Sequence, residues 1–148
     1  MLLKLRYLLC LILFIMPISF ATEINGFTII QNGELDFAIE WDESSDRLQS
    51  RVLYGNPSEE GLYVIRVRFP AGASTNPHHH DQDRFVTVIE GIWYTGMDAS
   101  KDLDETLAIP RGGFMVHPAG AIHYDAAKNV PAIVEIRGWG PVTTTQVE

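Results

Sequence analysis

Short apolar or alternating runs, each closed by a turn, fill the chain from about residue 27 onward and constrain its fold more than any other feature. In residues 64–69, for example, two arginines alternate with apolar side chains, which is the period of a half-buried strand. Breaks that contain glycine or proline, such as Gly55-Asn56-Pro57, separate the runs. Many short strands at this spacing predict an all-β sandwich or barrel.

The individual runs predict where the strands and the helical segment lie. The predicted strands are Phe27–Ile30, Phe37–Trp41, Leu62–Phe69, Phe85–Glu90, Ile92–Thr95, Thr106–Ile109, Phe114–His117, Ile122–Asp125 and Ala132–Arg137. The polar stretch Asp98–Glu105 predicts one short surface helix, with Asp98 or Ser100 as its N-cap. On the strands, we expect Arg66, Arg68 and Arg137 to be exposed.

The first 21 residues have the pattern of a secretory signal peptide. Lys4 and Arg6 precede a short apolar run, and Ser19 and Ala21 supply the small residues of a cleavage site. The run is shorter than the roughly 20 residues that cross a bilayer, so cleavage is favoured over a permanent anchor. The sequence therefore predicts a signal peptide at 1–21, one domain at 22–148, and a periplasmic or secreted protein that is free of the membrane after cleavage.

The charge of the chain excludes some classes of partner. The formal net charge is −8, and removal of Lys4 and Arg6 with the signal peptide makes the remainder more acidic. Such a domain is unsuited to nucleic acid and to anionic lipid surfaces. The chain also lacks the spacing of a serine-protease triad and a phosphate-binding loop, and its single cysteine, Cys10, lies in the signal peptide.

All five histidines lie between residues 78 and 123. In a strand, His78 and His80 face the same way while His79 faces the other, so two imidazoles share one face. A third ligand from a distant strand would complete a site for a transition metal such as Zn, Fe, Mn, Ni or Cu. His117 precedes Pro118, and we interpret it as a core histidine or one that supports a ligand.

Two spaced patterns around these histidines resemble the two cupin motifs, G-x5-H-x-H-x3,4-E-x6-G and G-x5-P-x-G-x2-H-x3-N. The matching residues are Gly72, His78, His80 and Gly91 in the first and Gly112, Pro118, Gly120 and His123 in the second. The resemblance covers residues 53–140 and implies a cupin-type double-stranded β-helix, the jelly-roll barrel. It also implies that His78, His80 and His123 hold a divalent metal ion in the barrel.

Two positions depart from the motifs: Ala127 replaces the final asparagine, and Arg84 replaces the metal-binding glutamate. A guanidinium cannot bind a cation. Arg84 could point outward and leave three histidines with water. A carboxylate from Asp125, Asp81 or Asp83 could replace the glutamate. Arg84 and Asp125 could instead pair across the pocket, with Arg84 available to a substrate carboxylate or phosphate.

The resemblance implies a function as well as a fold. Cupins include dioxygenases, isomerases, decarboxylases, hydrolases and proteins that only bind ligands. The sequence favours a metal-dependent enzyme that acts on a small molecule outside the cytoplasm. The alternative is a non-catalytic binding or sensing module whose metal is structural or lost. Family analogy also suggests a homodimer formed through sheet edges or through the segment Ile24–Ile30.

Overall fold

The structure is a computed structural model that describes residues 22–24, 27–29 and 41–147 in two separate units, residues 1–40 and 41–148. In the first unit, β1 (Thr22–Ile24) pairs antiparallel with β2 (Phe27–Ile29). The predicted signal peptide lies outside the described residues, as does most of the predicted strand Phe37–Trp41. Within the described ranges, no helix has the length and apolar character needed to cross a membrane.

The second unit is built almost entirely of short strands. They are β3 (Gln49–Tyr54), β4 (Gly61–Phe69), β5 (His78–His80), β6 (Arg84–Glu90), β7 (Ile92–Gly96), β8 (Leu107–Pro110), β9 (Phe114–His117), β10 (Tyr124–Ala126), β11 (Ala132–Gly140) and β12 (Thr144–Gln146). This confirms the all-β prediction, and the runs of alternating side chains are the physical reason for it.

The strands of this unit form one large and two small antiparallel sheets. The large sheet has the order β3-β4-β11-β6-β9, so β11 returns from the end of the chain to lie between two earlier strands. A three-stranded sheet has the order β10-β7-β8, and β12 pairs with β5. Strands that are neighbours in space but distant in sequence therefore supply the site described below.

Side chains on the inner faces of these strands form a single core. On β4, Tyr63 and Ile65 are buried, whereas Leu62, which faces the other way, is exposed, as a period of two requires. Burying each large apolar side chain stabilises the fold by about 1.5–3 kcal/mol. The core consists of Tyr63, Ile65, Phe69, Val86, Val88, Trp93, Ile109, Ala127, Ala132, Val134 and Ile136.

The predicted helix Asp98–Glu105 is wrong in extent. Only Leu103–Glu105 is helical, as a single 3-10 turn with Asp102 as its N-cap. The side chain of Asp98 accepts a hydrogen bond from the backbone N–H of Ser100, and the Ser100 hydroxyl accepts one from that of Asp102. Such local hydrogen bonds from side chains compete with helical backbone hydrogen bonds, which explains why the helix is not longer than one turn.

The expected exposure of Arg68 is also wrong. Its side chain is buried and forms an ion pair with Glu43, which precedes β3. Arg66 is half-buried and pairs with Glu135 on the neighbouring strand at 3.2 Å, whereas Arg137 is exposed as expected. The strand period places Arg68 on the outer face correctly, but only the tertiary structure shows that another segment covers it.

Candidate metal centre

A backbone bridge holds His78 and His123 opposite each other. The N–H of His78 donates to the carbonyl of His123 at 2.9 Å, and the N–H of His123 donates back to the carbonyl of His78 at 2.9 Å. Two residues that exchange both hydrogen bonds in this way have a fixed antiparallel register. β5 also places His80 on the same buried face as His78, while His79 is only half-buried. Three imidazoles therefore meet inside the fold.

The Nδ1 atom of each of these three imidazoles faces a backbone carbonyl. The distances are 2.8 Å from His78 to Asn76, 3.3 Å from His80 to Thr143, and 2.9 Å from His123 to Ala121. Because a carbonyl only accepts, Nδ1 carries the proton and Nε2 carries the lone pair. Carbonyls behind the ring are the usual orienting partners of metal-binding histidines. The potential ligand atoms of the three rings lie within 4.8 Å of one another, so this donor set fits a transition metal ion.

Arg84 lies inside this cluster. β6 pairs with β9 so that Arg84 stands opposite His117, and residues opposite each other in an antiparallel pair share a face. Nη1 of Arg84 donates a hydrogen bond to Nε2 of His80 at 2.7 Å. The guanidinium thus occupies the lone pair through which His80 would bind an ion. Of the arrangements open from the sequence, an outward Arg84 does not occur in this structure.

Asp125 and His117 extend the cluster on the other side of His123. Oδ1 of Asp125 is 4.0 Å from Nε2 of His117, and Oδ2 is 4.0 Å from Nε2 of His123. The rings of His117 and His123 are close, with centroids 3.8 Å apart. These three residues also bring their ligand atoms within 4.8 Å of one another, so they form a second group with metal-binding chemistry.

Burial controls the protonation of the cluster. It lowers the pKa of His80 to about 3, of His123 to about 4 and of His117 to about 2, with positive neighbours adding to the effect. Burial also lowers the pKa of His78. All four imidazoles are therefore neutral near pH 7, the form that binds metal. Burial raises the pKa of Asp125 to about 7, against smaller lowering effects from Thr95 and Arg84.

A cavity of about 220 Å³ opens beside the cluster. One part of its wall is polar and the other is apolar, which suits a small molecule with both kinds of surface. The polar part includes His78, His80, Arg84 and Asp125, together with Thr75, Thr144 and Gln146. The apolar part consists of Leu48, Val67, Phe69 and Ile136.

The remaining candidates from the sequence lie outside the cluster. Asp83 is exposed and its carboxylate accepts a hydrogen bond from the N–H of Ala119 at 2.8 Å. Asp81 is exposed and accepts from the N–H of Thr143. Arg84 and Asp125 line the same cavity, but no ion pair joins them among the described residues. His117, which the sequence indicates as a core or supporting histidine, is itself one of the potential ligands grouped with His123 and Asp125. The sequence does not show this, because the position of His117 opposite Arg84 depends on strand pairing.

Comparison with known proteins supports the fold through structure and not through sequence. No protein-family model matches the chain, and no curated protein matches it significantly. A cupin superfamily protein from Desulfitobacterium hafniense has a similar structure, with a TM-score of 0.55 and 18% identity over 68% of this chain and 83% of that one.

Two similar structures are named as enzymes. DMSP lyase DddQ from Ruegeria pomeroyi has a TM-score of 0.59 and 17% identity over 74% of this chain. The match covers 56% of the lyase, so this chain spans little more than half of its length. The polyketide cyclase RemF from Streptomyces resistomycificus has a TM-score of 0.55 and 18% identity, over 68% of this chain and 72% of that one. At these identities the likeness shows the fold: the chain has the fold of the cupin superfamily, a small all-β jelly-roll barrel.

Proposed function

We propose that this chain is an exported, metal-dependent cupin enzyme that holds one divalent transition metal ion and acts on a small molecule in the adjoining cavity. The observation that carries the proposal is the orientation of the three motif histidines. Each Nδ1 of His78, His80 and His123 faces a backbone carbonyl, which directs the lone pair of Nε2 toward the shared site. Such orientation is the usual support for an ion.

The ion would supply Lewis-acid polarisation of a bound oxygen, or oxygen activation if it is iron. The residues of the chain would bind and orient the small molecule. The apolar side chains Val67, Phe69 and Ile136 face its carbon skeleton, and the guanidinium of Arg84 offers hydrogen bonds to an oxygen of the ligand. Two structural neighbours named as a lyase and a cyclase support small-molecule chemistry on this fold.

Elemental analysis of the untagged chain tests the metal part of the proposal. We expect about one transition-metal ion per chain, after isolation or after reloading with Zn, Fe, Mn, Ni or Cu. His123→Ala should remove the ion, because its Nε2 is buried at the centre of the cluster. His79→Ala is the matched control, since His79 lies on the other face of β5. Metal that survives His123→Ala and disappears with His79→Ala would contradict the site.

One observation favours a second candidate function, a non-catalytic module that binds a small anion. The hydrogen bond from Arg84 to Nε2 of His80 places a positive charge where the motif has a ligand. No carboxylate of the described residues forms an ion pair with Arg84. If the chain binds none of the five metals and instead binds a small carboxylate, this second function replaces the first.

The proposed pairing of two chains is tested separately by sedimentation equilibrium. The predicted routes are sheet edges and the segment Ile24–Ile30, of which the structure describes the short β1–β2 pair. A mass of twice the chain would support the homodimer, and a monomer at all concentrations would exclude it.

A further inference from the structure

Three buried ligand atoms lack hydrogen-bond partners at one point of the cluster. They are Nε2 of His117, Nε2 of His123 and Oδ1 of Asp125, and none has a partner among the described residues. Buried polar atoms are nearly always hydrogen-bonded, and leaving one unpaired costs about 1–3 kcal/mol. Since His117, His123 and Asp125 each have a ligand atom within 4.8 Å of those of the other two, a single bound species could contact all three residues.

The chemistry of these atoms identifies the species. Two imidazole nitrogens and a carboxylate oxygen form a common ligand set for divalent transition metals. The carboxylate also supplies the negative charge that the motif normally obtains from the glutamate at the position of Arg84. Arg84 lies near both groups, but only this one contains a carboxylate, so a cation suits it better than it suits three neutral imidazoles.

Arg84 makes this second group the more available one. Its bond to Nε2 of His80 must break before His80 can bind an ion. The pairing of β6 with β9 keeps Arg84 on the inner face, so the guanidinium stays beside the histidines. By contrast, no hydrogen bond has to break at His117 or at His123 Nε2 among the described residues.

We propose that His117, His123 and Asp125 form a second ligand set, and that this set holds the ion while Arg84 is bonded to His80. The inference rests on the proposed function only in requiring that the cluster binds a metal. Both sets use Nε2 of His123, so the chain holds one ion at a time. Three protein ligands would leave further coordination positions for water or a small molecule.

Metal affinity in matched variants tests this assignment. We expect His117→Gln and Asp125→Asn each to weaken Zn²⁺ binding by about 100-fold or more, which exceeds the effect of removing a residue that only supports a ligand. His80→Gln should change the dissociation constant by less than the roughly tenfold that losing an outer partner costs. The reason is that His80 bonds Thr143, Thr144 and Arg84 and none of the three proposed ligands. The readout is competition with a chromophoric chelator, in a His79→Ala background that removes the half-buried imidazole of β5.

Copper EPR of the same background identifies the ligands by counting nitrogen atoms instead of by comparing affinities. With one equivalent of Cu²⁺, nitrogen superhyperfine structure should report two nitrogen ligands, and one in His117→Gln. Three nitrogens that survive His117→Gln but not His80→Gln would overturn the second set while leaving the proposed metal centre intact. No binding of any metal by the parent chain would overturn both.

Replacing Arg84 supplies a rescue that guards against misfolding. Arg84→Glu restores the motif ligand, so the double variant Arg84→Glu/His117→Gln should regain Zn²⁺ through His78, His80 and His123. Recovery shows that His117→Gln had lost a ligand and not the fold. If the double variant does not regain Zn²⁺ although circular dichroism shows a native β spectrum, the proposed switch between the two sets is wrong.

Discussion

Nη1 of Arg84 lies 2.7 Å from Nε2 of His80, so a guanidinium stands where a cupin motif places a carboxylate. The two residues belong to neighbouring segments, β5 and β6, and both side chains face the same cavity. The charge of the site therefore differs from that of the motif even though its histidines match. The metal affinity and the stability of the barrel should reflect this difference in ways that single substitutions can measure.

Removing the charge of Arg84 should strengthen metal binding. We expect Arg84→Met to lower the dissociation constant for Zn²⁺ by about tenfold or more, because about 1.4 kcal/mol of like-charge repulsion corresponds to that factor. Isothermal titration calorimetry measures it directly. Arg111→Met is the control, because Arg111 is exposed at the turn before Gly112. A weaker affinity in Arg84→Met would show that the guanidinium supports the ion instead of opposing it.

Trp93 should be among the largest contributors to stability. Its side chain is 1% exposed and the centroid of its ring lies 5.5 Å from that of His117, so truncation leaves a cavity beside the candidate metal centre. We expect Trp93→Ala to lower the free energy of unfolding by about 3–5 kcal/mol in urea denaturation of the metal-free chain. Trp139→Ala should lose less than half as much, since Trp139 is 59% exposed. Equal losses would mean that the fold buries Trp139 in a way not seen here.

Substituting two glycines with positive φ distinguishes the cost of backbone strain from the cost of a steric collision. Gly91 has φ of 72° and Gly112 has φ of 84°. An added Cβ at Gly91 would collide with the carbonyl of Pro131, whereas one at Gly112 meets no atom within 4 Å. We expect Gly112→Ala to lose about 1–2 kcal/mol through left-handed strain alone. Gly91→Ala should lose about 1–3 kcal/mol more through the collision. Thermal denaturation of both variants measures the difference, and equal losses would contradict the predicted collision.

Export and cleavage remain predictions from the sequence. We expect the chain to be recovered outside the cytoplasm with Thr22 as its first residue, which intact-mass measurement would show. Ala21→Arg should leave the signal peptide attached, because cleavage requires a small residue at that position. An unprocessed chain in the cytoplasm would refute both the leader and the location.

Much of the fold follows from local patterns. β9 begins and ends at the predicted residues, Phe114 and His117, and β4 begins one residue before the predicted Leu62. Both segments are runs of mostly apolar side chains between turns, which is the local pattern of a strand. β3 and β12 were not predicted. Polar or exposed residues fill much of both, and the partner strand, rather than an apolar face, holds each in place.

The site shows the same division between local and long-range information. A period of two is enough to place His78 and His80 together, and the second motif adds His123. The position of Arg84 depends on the register between β6 and β9. That register places Arg84 opposite His117, a residue much later in the chain. Because that register is a long-range property, the sequence left three arrangements of the site around Arg84 open.

β12 is one of the shortest strands of the barrel, and it forms part of the cavity wall. It has three exposed residues, pairs only with β5 among the described strands, and places Thr144 and Gln146 at the cavity wall. Strands of this kind separate from their sheets at a small fraction of the global unfolding free energy. Exchange of small molecules with solvent would then follow fraying at this strand without unfolding of the large sheet. A partner bound along the exposed residues of β12 would restrain this strand and slow the passage of ligands.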